Sequence, residues 1–249
     1  IQQVKVDAIN AGQSLVSEPG LAELVAELAA SKRLRATTCN REAVQASEMS
    51  LICVGTPSND NGSLKLKHVE AVTQEIGAAL ADYSGYHVVC VRSTVLPGTT
   101  EDFVAPLLEK ASGKKCGQDF GLCMNPEFLR EGVAIADFMQ PDRIVVGVET
   151  ERARARMAAL YAPLVAKGSP LIETGIESAE LIKYASNAFL AIKVTFINEI
   201  ASLCEKVGAD VMAVSQGMGL DQRIGPRFLQ PGPGYGGSCF PKDAKALAC

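Results

Sequence analysis

Met49-Ser50-Leu51-Ile52-Cys53-Val54 is a continuous apolar run that ends abruptly in Gly55-Thr56-Pro57. A short apolar stretch closed by glycine and proline reads as a buried strand reaching a turn, and its unbroken hydrophobicity places it inside a sheet covered on both faces. The same signal recurs along the chain. His87-Val88-Val89-Cys90-Val91 runs into Arg92-Ser93-Thr94, and Phe120-Gly121-Leu122-Cys123-Met124 into Asn125-Pro126-Glu127. Ile144-Val145-Val146-Gly147-Val148 is a fourth strand. Between them lie segments of helical period: 21–30, with leucines at 21, 24 and 28, then 67–82, 100–111 and 151–164. Asn40 is placed to cap a short helix through Ala46. Strands alternating with helices predict an α/β domain with a mostly parallel sheet. In such sheets ligands bind off the carboxyl ends of the strands, where Gly55-Thr56-Pro57, Ser93-Thr94 and Asn125-Pro126-Glu127 fall.

After residue 170 the character changes. Residues 176–207 read as one helix of about 48 Å, at about 1.5 Å per residue. It has no internal proline, and Gly208 stands where a stop belongs. Apolar residues cover most of its circumference, which predicts burial on most sides; Lys193, Asn198 and Glu199 argue against a membrane span. Two domains follow, 1–170 and 171–249, the second helical and suited to a dimer interface.

The chain has 249 residues and a net charge of −4, with no basic cluster that would favour nucleic acid. Its first residues lack a signal-peptide pattern, and no stretch approaches the roughly 18 uncharged apolar residues of a membrane span. A soluble cytoplasmic protein is expected. The 8 cysteines show no C-x-x-C pair or zinc spacing, so reduced thiols and no metal are expected, with Cys53 and Cys90 as core residues. The 2 histidines, His68 and His87, read as structural.

Chemistry concentrates in Gly234-Tyr235-Gly236-Gly237-Ser238-Cys239-Phe240-Pro241-Lys242-Asp243. Glycines let the backbone come close to a ligand, and a thiol beside an ammonium group is biased toward the nucleophilic thiolate. Gly232, Gly234 and Gly237 match G-x-G-x-x-G formally, but Phe228-Leu229-Gln230-Pro231 before them is no strand, which rules out a dinucleotide turn there. Lys183 and Asn187, four apart on the long helix, form a donor pair able to stabilise a developing oxyanion. Glu127 and Glu131 repeat at the same spacing, as on a helical turn. Together these point to covalent carbonyl chemistry.

Asn125-Pro126-Glu127-Phe128-Leu129-Arg130-Glu131-Gly132, Pro141-Asp142-Arg143, Lys183-Tyr184-Ala185-Ser186-Asn187, Arg223-Ile224-Gly225 and the stretch 234–243 resemble, in order, the motifs of the UDP-glucose/GDP-mannose dehydrogenase family. The Arg130-Glu131-Gly132 and Arg223-Ile224-Gly225 segments look like its UDP-glucose branch. The resemblance implies a Rossmann-like sheet lacking its first βαβ unit, joined by the long helix to a helical dimerisation domain. The family's G-x-G-x-x-G unit would precede Ile1, and its domain gripping the uridine diphosphate would follow Cys249. The implied reaction is oxidation of C6 from alcohol to carboxylate with two NAD⁺ and one water. In it Cys239 forms a thiohemiacetal and then a thioester, and Lys183 and Asn187 hold the oxyanion. Glu127 acts as general acid or base, with Asp243 and Thr94 positioning water. By the same resemblance Val54, Gly55, Thr56, Pro57, Ser58, Ser93, Thr94, Val95, Glu131 and Lys242 hold NAD. Glu127, Phe128, Leu129, Arg130, Glu131, Lys183, Asn187, Gln230, Gly234, Tyr235 and Gly236 meet the sugar nucleotide, and Arg223 reaches a neighbouring subunit's site in a homodimer built on the long helix. GDP-mannose or UDP-N-acetylmannosamine oxidation, or a non-catalytic dimerising or sugar-nucleotide-binding piece, are the alternatives.

Overall fold

The computed structural model describes residues 2–237 and 240–248. Its elements run α1 Gln3–Asn10, α2 Leu21–Ala30, α3 Asn40–Gln45, β1 Met49–Ile52, α4 Lys67–Leu80 and β2 His87–Val91. A π-helical turn, Thr99–Val104, leads into α5 Ala105–Ser112. Then come β3 Phe120–Met124, α6 Ala134–Met139, β4 Ile144–Val148, α7 Glu151–Val165 and β5 Leu171–Thr174. Last are α8 Ile176–Val207, α9 Val211–Gly219 and α10 Phe240–Ala248. The chain forms two compact units, one of residues 1–56 and 66–180, the other of 57–65 and 181–249.

In the first unit the five strands lie in the order β1-β2-β3-β4-β5. β1, β2 and β3 are parallel, as are β4 and β5, so the sheet is mostly parallel as its apolar runs require. β3 and β4 meet antiparallel, paired only at Cys123 with Val148 and Met124 with Gly147. Because β5 pairs with β4 along Leu171–Thr174, the sheet extends past residue 170. Val88, Cys90, Cys123, Val146 and Val148 pack on one face with Ala153, Met157, Tyr161 and Leu164 of α7. Val89, Val91 and Met124, on the alternate face, are as deeply buried. Gly147 is required where α8 begins, since a Cβ there would lie 2.7 Å from that of Ala179 and 2.8 Å from Ile176 Cα.

Three expectations need correction. Cys53 lies beyond the end of β1 and is exposed, unlike Cys90. Leu51 and Cys53 share one face by the two-residue alternation, and no described element covers it there. Asn40 is the first residue of α3 rather than its cap; Cys39 takes that position, and its amide is bound by Thr37 Oγ1 at 3.1 Å. Finally, α8 has the predicted limits but is not buried on most sides. Tyr184 and Ala191 are buried on one flank and Ile197 and Cys204 on another, whereas Leu181, Phe189, Ile192, Phe196, Leu203 and Val207 share one exposed stripe at helical spacing. By length and composition α8 is apolar enough to cross a membrane, and only 22% of its most apolar window is buried. The sequence pattern records apolarity, not whether an apolar face is covered.

Carboxylates converge at the π-helical turn. Glu101 is pushed up to about 8, first by a side-chain hydrogen bond to Glu149, then by burial and by the negative charges of Glu149 and Glu177. The folded protein therefore holds a proton that the unfolded chain releases near 4.5. Its stabilisation is complete below that value and is lost as pH rises through about 8. Thermal melts between about pH 5 and pH 9 should show the midpoint falling with pH, and Glu101→Gln should flatten that fall. An unchanged slope in the variant would assign the pH dependence elsewhere.

Candidate active site

In the sheet unit the predicted cofactor residues gather at the carboxyl ends of β1 and β2. Ser93 Oγ donates to the carbonyls of Val54 at 2.6 Å and Ile52 at 3.2 Å, and Thr56 Oγ1 donates to Thr94 O at 2.8 Å. Ser93, Thr56 and Val95 are buried, so their side chains fasten the two turns together and it is backbone that remains to meet a ligand. Gly55 fits that use: a Cβ added there meets nothing within 4 Å, leaving its peptide open to close approach. Pro57 and Ser58 begin a loop of the second unit, closed by Lys65 N donating to Pro57 O at 2.8 Å.

Next to these turns, Asn125 continues the β2–β3 ladder, its amide bound to Val91 O at 2.9 Å. Its buried carboxamide donates to Val145 O at 2.7 Å and accepts from Arg92 and Tyr161, a network that pins the base of the Pro126–Glu127 segment. Glu127 and Glu131 do not share a helix, because residues 125–130 are a loop and α6 begins only at Ala134. Four-residue spacing is a helical signal only where the backbone is helical, and Pro126 together with Gly132 at φ 86° keeps this segment out of that conformation.

The loop is instead held by carboxylates. Glu127 Oε2 accepts the Leu129 amide at 2.6 Å. Asp137 Oδ2 accepts the Arg130 amide at 2.9 Å, and the Asp137 carboxylate pairs with the Arg130 guanidinium, raising the arginine's pKa. Arg143, from the Pro141-Asp142-Arg143 motif, stacks its guanidinium carbon 3.7 Å from the Phe128 ring centroid. Glu18 reaches the same loop from 114 positions earlier. Neither Asp137 nor Glu18 was singled out in the sequence: Glu18 sits in Ser17-Glu18-Pro19-Gly20, which reads only as the approach to a helix.

In the helical unit, Lys183 and Asn187 lie four apart on α8 and are both buried, 6% and 8% exposed. Asp243 on α10 is 2% exposed; it accepts from Asn187 Nδ2 at 2.7 Å and pairs with Lys242 Nζ at 2.6 Å. Buried polar groups need such partners, so α10 is tied to the α8 face that carries Lys183. Cys239 lies outside the described residues. Its following neighbour Phe240 opens α10, with ring centroids 6.2 Å from Phe228 and 6.0 Å from Tyr235. Gln230, Gly234 and Gly236 belong to the strand-free loop before it. Gly234 and Gly237, at φ 109° and 79°, supply turns that other residues avoid. The Gly232 amide donates to Asn198 Oδ1 at 2.9 Å, beside an open groove of about 520 Å³ between the α8 side chains Asn198, Ser202 and Glu205 and the loop residues Pro231, Gly232 and Gly234. Arg223 is exposed and doubly bonded to Asp221, at 2.6 and 3.1 Å, while Lys193 Nζ holds the next carbonyl, Ile224 O, at 3.0 Å.

Residues 1–165 match the NAD binding domain of the UDP-glucose/GDP-mannose dehydrogenase family, and residues 177–249 its central domain. A UDP-glucose 6-dehydrogenase of Rhizobium meliloti is 51% identical over 246 residues, 98% of this chain and 55% of that protein. A GDP-mannose 6-dehydrogenase of Azotobacter vinelandii is 46% identical over 250 residues, 100% of this chain and 57% of that protein. A UDP-glucose dehydrogenase structure from Pyrobaculum islandicum superposes with a TM-score of 0.93 at 42% identity, covering 99% of this chain and 56% of the other. The chain thus spans little more than half the length of these relatives. Matched in both domains and in order, it belongs to the UDP-glucose/GDP-mannose dehydrogenase family.

Proposed function

We propose that this chain is the NAD-binding and central part of a cytoplasmic UDP-glucose 6-dehydrogenase that converts the C6 alcohol of UDP-glucose to the carboxylate of UDP-glucuronate. The observation that carries the reading is the buried Lys183–Asn187 face of α8, with Asp243 locked to Asn187. It offers an ammonium and an amide as oxyanion donors, on an α-helix rather than a loop. Asp243 follows Cys239 by four residues.

Four electrons leave C6 as two hydrides, both accepted by NAD⁺. The alcohol gives up its proton and the first hydride to become an aldehyde. The Cys239 thiolate adds to the aldehyde carbon, and Lys183 and Asn187 stabilise the resulting oxyanion. Loss of the second hydride leaves a thioester; water, activated by Glu127 with Thr94 and Asp243 positioning it, releases the carboxylate and restores the thiolate. The backbone of 54–56 and 93–95 meets NAD, where the open Gly55 peptide suits it; Pro57, Ser58, Glu131 and Lys242 are further contacts that the resemblance implies. Residues 1–170 serve that role and 171–249 the dimer and the thiol chemistry. Phe128–Glu131 and the 230–236 loop are the sugar-nucleotide contacts that the resemblance implies.

The exposed stripe of α8 supports a homodimer through that helix, since each of its large side chains would gain about 1.5–3 kcal/mol on full burial. Arg223 then serves the partner's substrate. The 46% identity to a GDP-mannose enzyme supports a second reading, oxidation of GDP-mannose. The full-length protein given UDP-glucose and NAD⁺ should release two NADH per uronate formed, with kcat/KM at least about tenfold above that for GDP-mannose or UDP-N-acetylmannosamine. A reversed preference would select the second reading, and no NADH with any of them would end both.

A further inference from the structure

We infer that Glu18 is a positioning residue for the sugar-nucleotide loop, a role that rests on the reading of Phe128–Glu131 as substrate contacts. Both oxygens of its carboxylate are used: Oε1 accepts the Gly132 amide at 2.7 Å and Oε2 the Ala134 amide at 3.2 Å. These amides stand at the start of α6, where no intrahelical partner exists and where Val133, at the cap position, offers no side-chain acceptor. Glu18 therefore does from a distant part of the chain what a local capping residue does elsewhere.

Its own backbone is fixed for the task. Glu18 O accepts the Leu21 amide at 3.1 Å, closing the turn before α2, with Pro19 and the left-handed Gly20 at φ 81° between them. With the bonds from Glu127 to Leu129 and from Asp137 to Arg130, three carboxylates hold the amides of 129, 130, 132 and 134. Two of these carboxylates, Glu127 and Asp137, belong to the segment itself or to the short helix after it. Glu18 ties the loop to a distant part of the unit. A loop so fixed meets its ligand without an ordering cost, which appears in ligand affinity rather than in the chemical step.

The test compares Glu18→Ala, the isosteric Glu18→Gln and the shorter Glu18→Asp in the full-length protein, with UDP-glucose as the probe. Hydrogen exchange at the Gly132 and Ala134 amides should quicken at least about tenfold in the alanine variant. KM for UDP-glucose should rise about tenfold with kcat within about twofold, and Glu18→Asp, still an anion, should recover part of the loss. Should the alanine variant fail to fold, Glu18→Gln carries the same test, since it keeps one acceptor and loses the charge. Arg130→Met serves as a direct probe of the loop. If it raises KM while no Glu18 variant does, the inference is overturned and the loop reading stands. If neither raises KM, the loop reading fails and takes the inference with it. Unchanged amide exchange also overturns the clamp.

Discussion

On the proposed reading, replacing Cys239 by alanine in the full-length protein should stop uronate formation, lowering the steady-state rate by at least about a thousand-fold. The expectation follows from the order of bond changes. An aldehyde bound without a sulfur has no tetrahedral C–O⁻ centre from which the second hydride can leave at a useful rate, and it has no thioester to hydrolyse. The first hydride transfer makes no such demand, so NADH formation should persist only to the extent that aldehyde escapes. Serine fails as well, since a hydroxyl at neutral pH is a far weaker nucleophile than a thiolate. Asp243, 2% exposed, fixes α10 to Asn187. Product analysis by mass, with NADH counted against uronate, checks the result; uronate made at the parent rate by Cys239→Ala would refute the covalent route.

The parts that sequence revealed are those in which local signals and tertiary structure agree. Residues 176–207 form one helix with the limits read from its lack of proline and the following Gly208. The strands at 87–91, 120–124 and 144–148 have the ends their flanking turns dictate. Lys183 and Asn187 share a face because the backbone between them is helical, and the same spacing misled at Glu127 and Glu131 because there it is not. Cys53 was misplaced since an apolar run does not say where strand pairing stops. Nor does it say that the strand after β3 turns back antiparallel. Least legible were long-range contacts between unremarkable residues. Glu18 to Gly132, Arg143 to Phe128 and Glu180 to Thr100 span 114, 15 and 80 positions, and no periodicity in the chain encodes them.

Glu180 carries the second large effect, on stability rather than turnover. It is fully buried in the second turn of α8, where its carboxylate accepts three hydrogen bonds. Oε2 takes the Gly98 amide at 2.7 Å, and Oε1 takes the Thr100 amide at 2.9 Å and the Thr100 hydroxyl at 2.6 Å. Burial raises its pKa, and the bonds from Thr100 and Gly98 oppose the rise, so the ion is tolerated by its donors rather than by solvent. Glu180→Ala removes the acceptor and leaves two peptide N–H groups and a hydroxyl facing a cavity. Their unmet desolvation, together with the lost packing, should cost about 3–5 kcal/mol. Glu180→Gln keeps an acceptor oxygen of the same shape and should cost about 1–2 kcal/mol. Urea unfolding monitored on the full-length protein measures both. Because the turn at Gly98–Thr100 follows Ser93–Val95, loosening it should also weaken NAD binding in the alanine variant before the protein unfolds. An alanine variant within about 1 kcal/mol of the parent would mean that water satisfies those donors, and that residues 176–180 are held to the sheet by apolar contacts alone.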